Sequence, residues 1–166
     1  MITKTKIYKY GIFIESVVIS YLELAKQYKV IEKYNNDNRY DIVIQDTENN
    51  ISKIEIKADK QASKTNNFYI EYMSHNKTSG INTTQADILI YVVEHEDKYN
   101  MYWINLIHLK HYINTNINTI KKGICKSIDC NGNFNGKFNK GYLVKISDTI
   151  YYKVEEILKS NTHYNG

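Results

Sequence analysis

Apolar side chains at Ile14, Val17, Val18, Tyr21, Leu22, Leu24 and Ala25 recur at the three- and four-residue spacing of one helix face. The stretch from Tyr10 to about Tyr28 therefore predicts a helix. The period then changes from 3.6 to 2. Val30–Tyr34 reads as a first strand, 35–38 as a polar turn, and Arg39–Asp46 as an alternating strand. Residues 47–50 are a loop, and Ile51–Ala58 shows the cleanest alternation in the chain. Phe68–Met73 is a further strand. From Thr78 an irregular or short helical connection runs to about Ala86. Ile88–Val93 is unbroken apolar sequence, as expected of a strand buried on both faces. Tyr99–Ile104 follows as a strand and Leu106–Ile113 as a short helix. Further on, 131–137 is a polar loop with Phe134 embedded, Gly141–Ser147 a strand, and Asp148–Leu158 a closing helix. This order predicts an α/β fold, a mixed central β-sheet flanked by helices. One domain spans 1–166, with a core of about 8–113 and a strand/helix extension of about 114–166.

The two consecutive alternating strands carry the chemistry. Along Lys53-Ile54-Glu55-Ile56-Lys57 successive side chains face opposite ways, so Glu55 and Lys57 share one face and the isoleucines the other. Burying Ile42 and Ile44 with Ile54 and Ile56 sets Ile44 near Ile54 and Ile42 near Ile56. Asp41 then falls opposite Lys57, and Val43 opposite Glu55. A one-residue slip would send Asp41 to the other face. Diagonal neighbours on paired strands lie roughly 7–8 Å apart, which lets two carboxylates lean toward one cation. Mg²⁺ prefers oxygen and binds through one or two carboxylates plus phosphate and water. Asp41 and Glu55 supply the carboxylates, and the Ile56 backbone carbonyl is a candidate extra ligand. Lys57 can orient a water or stabilise charge on a phosphate. The plain alternative is an ordinary solvated strand face.

Composition adds little to this. The net charge of +4 suits nucleic acid without requiring it. The 16 tyrosines and the complete lack of proline, with abundant Lys, Asn and Ile, also match AT-rich codon usage. Cys125 and Cys130 are too few for a disulfide scaffold or a structural zinc site. No run is long and apolar enough for a membrane span, and the basic start lacks the pattern of a signal peptide. An intracellular, cytoplasmic protein with no membrane association is expected.

The order Glu15, Asp41, Glu55-Ile56-Lys57 resembles the PD-(D/E)xK nuclease superfamily, in which a helix bearing an acid precedes a hairpin with the D and E-x-K motifs. Gly11-Ile12-Phe13-Ile14-Glu15 resembles the G-x-x-x-E segment of its Holliday-junction-resolvase-like and exonuclease-like branches. The resemblance covers about residues 8–93. It implies a restriction-endonuclease-like core, with Asp41 and Glu55 as metal ligands and Lys57 as a catalytic residue. Glu15 would be an additional ligand, direct or through water. Tyr40 stands where the family has proline before the acid, and no Q-x-x-x-Y helix follows, so the exonuclease-like branch fits poorly. Residues 68–72 and 79–87 resemble stretches of small phage-type nucleases.

These readings lead to a Mg²⁺-dependent endonuclease acting on DNA, with Mn²⁺ able to substitute, in the form of a homodimer where two strands are cut. An RNA endonuclease and a catalytically inactive nucleic-acid-binding or protein-interaction module are the alternatives. Lys77, Ser79 and Gly80 are candidate phosphate contacts, with a plain surface lysine and a plain turn as the simpler readings. Lys137, Lys140 and Lys145, interleaved with Phe134, Phe138 and Tyr142, form either a nucleic-acid grip or a solvated hairpin. Glu71 either adds a carboxylate or, more simply, faces solvent. Gln85 is expected on a helix surface and Trp103 in the core. His108 and His111 share a helix face but lack a third ligand. The remaining histidines, His75, His95 and His163, are scattered.

Overall fold

The computed structural model describes residues 4–25, 27–33, 39–128, 134–148 and 150–162. The expected turn at 35–38, residues 131–133, Cys130 and His163 lie outside the described residues.

Helix α1 (Lys4–Leu24) turns Tyr10, Ile14, Val17, Val18 and Leu22 inward. Ile14, Val18 and Leu22 are fully buried, each contributing about 1.5–3 kcal/mol of transfer free energy. The helix stops four residues short of the expected end because Tyr28 opens strand β1 (Tyr28–Lys33), where its ring stacks on Trp103 with centroids 5.3 Å apart. The remaining strands are β2 (Ile42–Asp46), β3 (Ile51–Asp59), β4 (Asn67–Ser74), β5 (Lys77–Thr78), β6 (Ile88–Glu94), β7 (Lys98–Asn105), β8 (Lys121–Ile128), β9 (Phe134–Lys145) and β10 (Tyr151–Leu158). Two further helices, α2 (Ala62–Thr65) and α3 (Leu106–Thr115), lie between them. Asn105 caps α3, its side chain accepting from the N–H groups of Ile107 and His108.

Six strands form a mixed sheet in the order β1-β2-β3-β6-β7-β10. The β3–β6 pair is parallel and the other pairs are antiparallel. One face carries Ile42, Ile44, Ile54, Ile56, Ile90, Val92, Met101 and Trp103 and packs under α1. The opposite face, with Leu89, Tyr91, Val93, Tyr102 and Ile104, packs against α3 and against Phe68, Ile70 and Val144. Both faces of β6 are thus buried, as its unbroken apolar run requires. Trp103 is in the core, at 1 % exposure.

The mixed α/β character holds, but the flanking layers differ from expectation. Helix α1 covers one face. A second sheet, in the order β5-β4-β9-β8, joins α3 in covering the other. The expected closing helix at Asp148–Leu158 is instead strand β10, paired with β7. Ile150, Val154, Ile157 and Leu158 fit a helix face, but Tyr151, Tyr152 and Val154 favour a strand, and the open edge of β7 decides between them. Lys153 and Glu155, two apart and so on one side of β10, bridge at 2.8 Å, and Glu155 also accepts from Trp103 Nε1 at 2.9 Å. Strand β8 had no counterpart in the hydropathy pattern. Among the described residues, no helix is long and apolar enough to cross a membrane.

Candidate active site

The β2–β3 hairpin brings the two expected acids together in a register different from the one the isoleucines suggested. Ile42 pairs with Ile54, Val43 with Lys53, and Gln45 with Ile51. Relative to expectation β2 has slid by two residues, so Asp41, whose N–H donates to the Ile54 carbonyl at 2.8 Å, falls beside Glu55 and not opposite Lys57. The connection at 47–50 sets this. Asp46 Oδ1 accepts from the N–H groups of Glu48 and Asn50, its Oδ2 accepts from Asn50 Nδ2, and Asn49 adopts a left-handed φ of 67°. A two-residue shift preserves side-chain parity, so the acids still emerge on the predicted face, now as direct neighbours.

Pairing ends there because the chain at 39–40 turns away. The Arg39 carbonyl accepts from Gln85 N–H at 2.8 Å and from Thr84 Oγ1 at 2.9 Å. The Ile56 N–H, left without a strand partner, donates to Asp41 Oδ2 at 2.6 Å. A residue's C=O points to the same strand edge as its N–H, so the Ile56 carbonyl also faces the Asp41 side. Thr84 Oγ1 lies 3.3 Å from Glu55 Oε2. The Thr84 hydroxyl is shared between the Arg39 carbonyl and Glu55 Oε2, donating to the carboxylate at the longer distance.

Electrostatics tie Glu15 to this pair. Burial, then the charge of Asp41, raises the Glu15 pKa above its ordinary value. Asp41 is also raised, because its burial outweighs the Ile56 N–H and the Lys57 ammonium. Glu55 is pushed up to about 7, first by burial and then by Asp41, against the opposing pull of Lys57 and Thr84. Glu15 adds a smaller upward push. Three carboxylates, from α1, the residue before β2, and β3, thus repel one another, and the cation acting on Asp41 and Glu55 is the exposed Lys57.

Asp41, Glu55 and Lys57 line a cleft of about 560 Å³. Its floor includes Tyr91, whose hydroxyl donates to Asp59 Oδ2 at 2.6 Å and accepts from Tyr69 N–H at 2.9 Å. Asp59 has the parity of Glu55 and Lys57, yet its carboxylate is fully engaged, since Oδ1 accepts from the N–H groups of Gln61 and Ala62. The far wall comes from β4 and the segment after β5. Ser79 and Gly80 line it. Gly80 has φ +53°, and a Cβ there would lie 2.2 Å from the Glu71 carbonyl oxygen, so glycine is needed for close approach to β4.

Glu71 does not simply face solvent. It lines the cleft and its Oε1 accepts from Ser79 Oγ at 2.9 Å. Lys77 is exposed on β5 and is not part of the cleft lining. Lys137 and Lys140 sit on β9, outside the cleft and within a strand where a loop was expected through 137. Gln85 is exposed in an extended segment, not on a helix. His108 and His111 are exposed on α3. The sequence reading overlooked Arg39, Tyr69, Thr83 and Thr84 in the lining. Only the Thr83-Thr84 pair, polar and directly after a short 3-10 turn at Gly80–Asn82, carried a signal.

Among the described residues, no three His, Cys, Asp or Glu side chains converge into a ready-made metal cage. The donor set is two carboxylates side by side with a backbone carbonyl at their edge. That set fits a hard, partly hydrated cation such as Mg²⁺, which needs only one or two protein carboxylates. It does not fit a soft metal or a closed structural site. No protein-family model, curated protein or solved structure matches the chain.

Proposed function

We propose that the protein is a metal-dependent nuclease that hydrolyses phosphodiester bonds in DNA, with Asp41, Glu55 and Lys57 at its centre. The observation that carries this reading is the pairing of Asp41 with Glu55, two half-buried acids held against their mutual repulsion and opening into a cleft. Such repulsion costs stability unless a cation offsets it, and perturbed acids in a cleft mark functional sites.

When bound, Mg²⁺ supplies Lewis-acid polarisation of the phosphate and lowers the pKa of a water. Asp41 Oδ1 and the Glu55 carboxylate would hold it, with the Ile56 carbonyl as a third oxygen. The Ile56 N–H fixes Asp41 through Oδ2, so the free oxygen keeps one orientation. Lys57 extends from the same face into the cleft, where its ammonium can orient the attacking water or stabilise developing phosphate charge. Glu15 acts at longer range, biasing the cluster toward a cation or holding an outer water. One site per chain cuts one strand, so cutting both strands calls for two copies, a homodimer.

The test is a cleavage panel of linear duplex, single-stranded and branched DNA, and RNA, with Mg²⁺, Mn²⁺ or EDTA. Cleavage of a DNA substrate that needs metal and is lost in Asp41→Ala and Lys57→Ala supports the reading. Cutting confined to RNA would move it to the ribonuclease alternative. No cleavage of any substrate, or full activity in Asp41→Ala, removes it in favour of a binding module.

A further inference from the structure

Several lysines on or beside the six-stranded sheet are paired: Lys60 and Lys159 with Glu94, Lys98 with Glu156, Lys153 with Glu155, and Lys33 with Glu23. Strands β8 and β9 differ. Lys-Lys-Gly-Ile-Cys-Lys-Ser-Ile and Phe-Asn-Gly-Lys-Phe-Asn-Lys-Gly-Tyr-Leu-Val-Lys contain six lysines and no acid. Among the described residues, Lys121, Lys137 and Lys145 are exposed and make no ion pair. Unpaired like charge on adjacent strands lowers stability, so its presence without internal compensation points to an anionic partner.

The face on which these three lysines stand leads into the cleft. Gly123 pairs with Gly141, and Lys121 with Leu143, while β4 sets Tyr69 beside Leu143 and Glu71 beside Gly141. Alternation therefore puts Lys121, Gly123, Lys137, Gly141, Leu143, Lys145 and Tyr69 on one side of the second sheet, together with Glu71, whose carboxylate accepts from Ser79 at the cleft. The two glycines form a side-chain-free saddle, and the Tyr69 ring lies in it. A Cβ on Gly141 would meet that ring at 2.6 Å and one on Gly123 at 3.2 Å. Tyr69 also lines the cleft that holds Asp41 and Glu55. A 12-residue strand such as β9 is about 40 Å long, enough to follow several successive phosphates.

We infer that this face of the second sheet is a binding arm for the phosphate backbone of a nucleic-acid strand leaving the cleft. Lys121, Lys137 and Lys145 contact phosphates, and Tyr69 forms the step between arm and cleft. The partner is a nucleic acid and not an anionic membrane, because the charge is arranged along strands that run out of a recessed site, and the apolar side chain among these lysines is the half-buried Leu143, packed beside Gly123, which offers no projecting wedge to enter a bilayer. The inference rests on the nuclease reading only in naming the bound strand as the substrate, since binding needs no hydrolysis.

The experiment uses the full chain in EDTA, so that nothing is cut, with a fluorescein-labelled 30-nucleotide single strand and the matching duplex read by anisotropy. The triple variant Lys121→Ala/Lys137→Ala/Lys145→Ala is compared with Lys9→Ala/Lys29→Ala/Lys33→Ala, which removes the same charge elsewhere, after thermal melts confirm that both are folded. The arm variant is expected to lose about tenfold or more in affinity, and the slope of log K against log salt to fall by about 2–3. The control should change by about twofold or less. Equal losses in the two variants, or no binding of either oligonucleotide by the unaltered protein, overturn the arm. So does lysine-dependent binding to vesicles containing phosphatidylserine without binding to DNA. Arm-dependent binding with no cleavage under Mg²⁺ keeps the arm and removes the nuclease reading. Metal-dependent cleavage with equal binding by both variants does the reverse.

Discussion

A single acid at one end of the six-stranded sheet and a cluster of three at the mouth of its hairpin are resolved in opposite ways. At the end of β6, Glu94 accepts from Lys159 Nζ at 2.8 Å and from Tyr10 at 2.8 Å, with Lys60 3.8 Å away. Burial pulls the Glu94 carboxyl up, but these partners outweigh it and leave it below its ordinary value. At the mouth of β2 and β3, Asp41, Glu55 and Glu15 have Lys57 for three acids, and all three are raised. Carboxylates that only stabilise a fold are given their counter-charges by the fold itself. The cluster of three is arranged as if the missing charge arrives from outside, in a metal ion and the substrate around it.

The sharpest way to break that contrast is chemical. Asp41→Ala and Lys57→Ala should each reduce metal-dependent cleavage by about 10²–10⁴-fold, whereas Glu94→Gln should leave kcat/KM within about threefold while the protein remains folded. Initial rates on a labelled DNA substrate decide it, and equal losses at the two places would erase the distinction.

Stability should separate them next, with opposite signs. At pH 8 in EDTA, Glu55→Gln removes a buried charge and should stabilise the fold by about 1–3 kcal/mol. Glu94→Gln should destabilise it by about 1–2 kcal/mol, through the loss of charge-assisted hydrogen bonds. Urea denaturation of both variants measures this, and a stabilised Glu94→Gln would overturn the assignment.

The pH dependence follows from the same shifts. Glu55 has a folded pKa near 7 against an ordinary 4.5. The folded state thus holds an extra proton between those values, and its contribution is complete below about 4.5 and lost as pH rises through 7. Glu94 is lowered, so its contribution is present above the ordinary value and lost as pH falls through its folded pKa. Metal-free protein should therefore melt at progressively lower temperature from pH 5 to pH 8, and Glu55→Gln should flatten that slope.

The smallest expected effect is ligand stabilisation. Millimolar Mg²⁺ should raise the melting temperature by a few degrees at pH 8 and less at pH 5.5, where protons compete for Glu55. The increment should vanish in Asp41→Ala and persist in Glu94→Gln. Scanning calorimetry at the two pH values reads it, and a pH-independent increment would place the metal elsewhere.

The parts legible in the sequence were those fixed by local periodicity. The α1 stripe, the alternating β3 and the doubly apolar β6 each stated which face was buried, and β3 thereby stated which face carried Glu55 and Lys57. The parts that were not legible depend on partners distant in the chain. Strand β10 carries a pattern compatible with a helix, and only the vacant edge of β7 makes it a strand. Strand β8 is built of lysine, glycine and short stretches without a strong period, and it exists because β9 pairs with it. Glu71 looked solvent-facing because nothing near it in sequence revealed that Gly80 brings the far wall of the cleft against β4. The hairpin register lay between these cases: the isoleucines gave the parity, and Asp46 with Asn49 and Asn50 gave the alignment.

That hairpin also constrains how the gene can change. Inserting or deleting one residue in the connection at 47–50 would put Ile42 and Ile44 out of step with Ile54 and Ile56, so that either the core under α1 or the pairing of Asp41 with Glu55 would have to be given up. Changes of two residues keep both in phase, moving Asp41 along β3 by one pleat. Tolerated length variation in this connection should therefore come in even steps, and among them the present length keeps Asp41 beside Glu55.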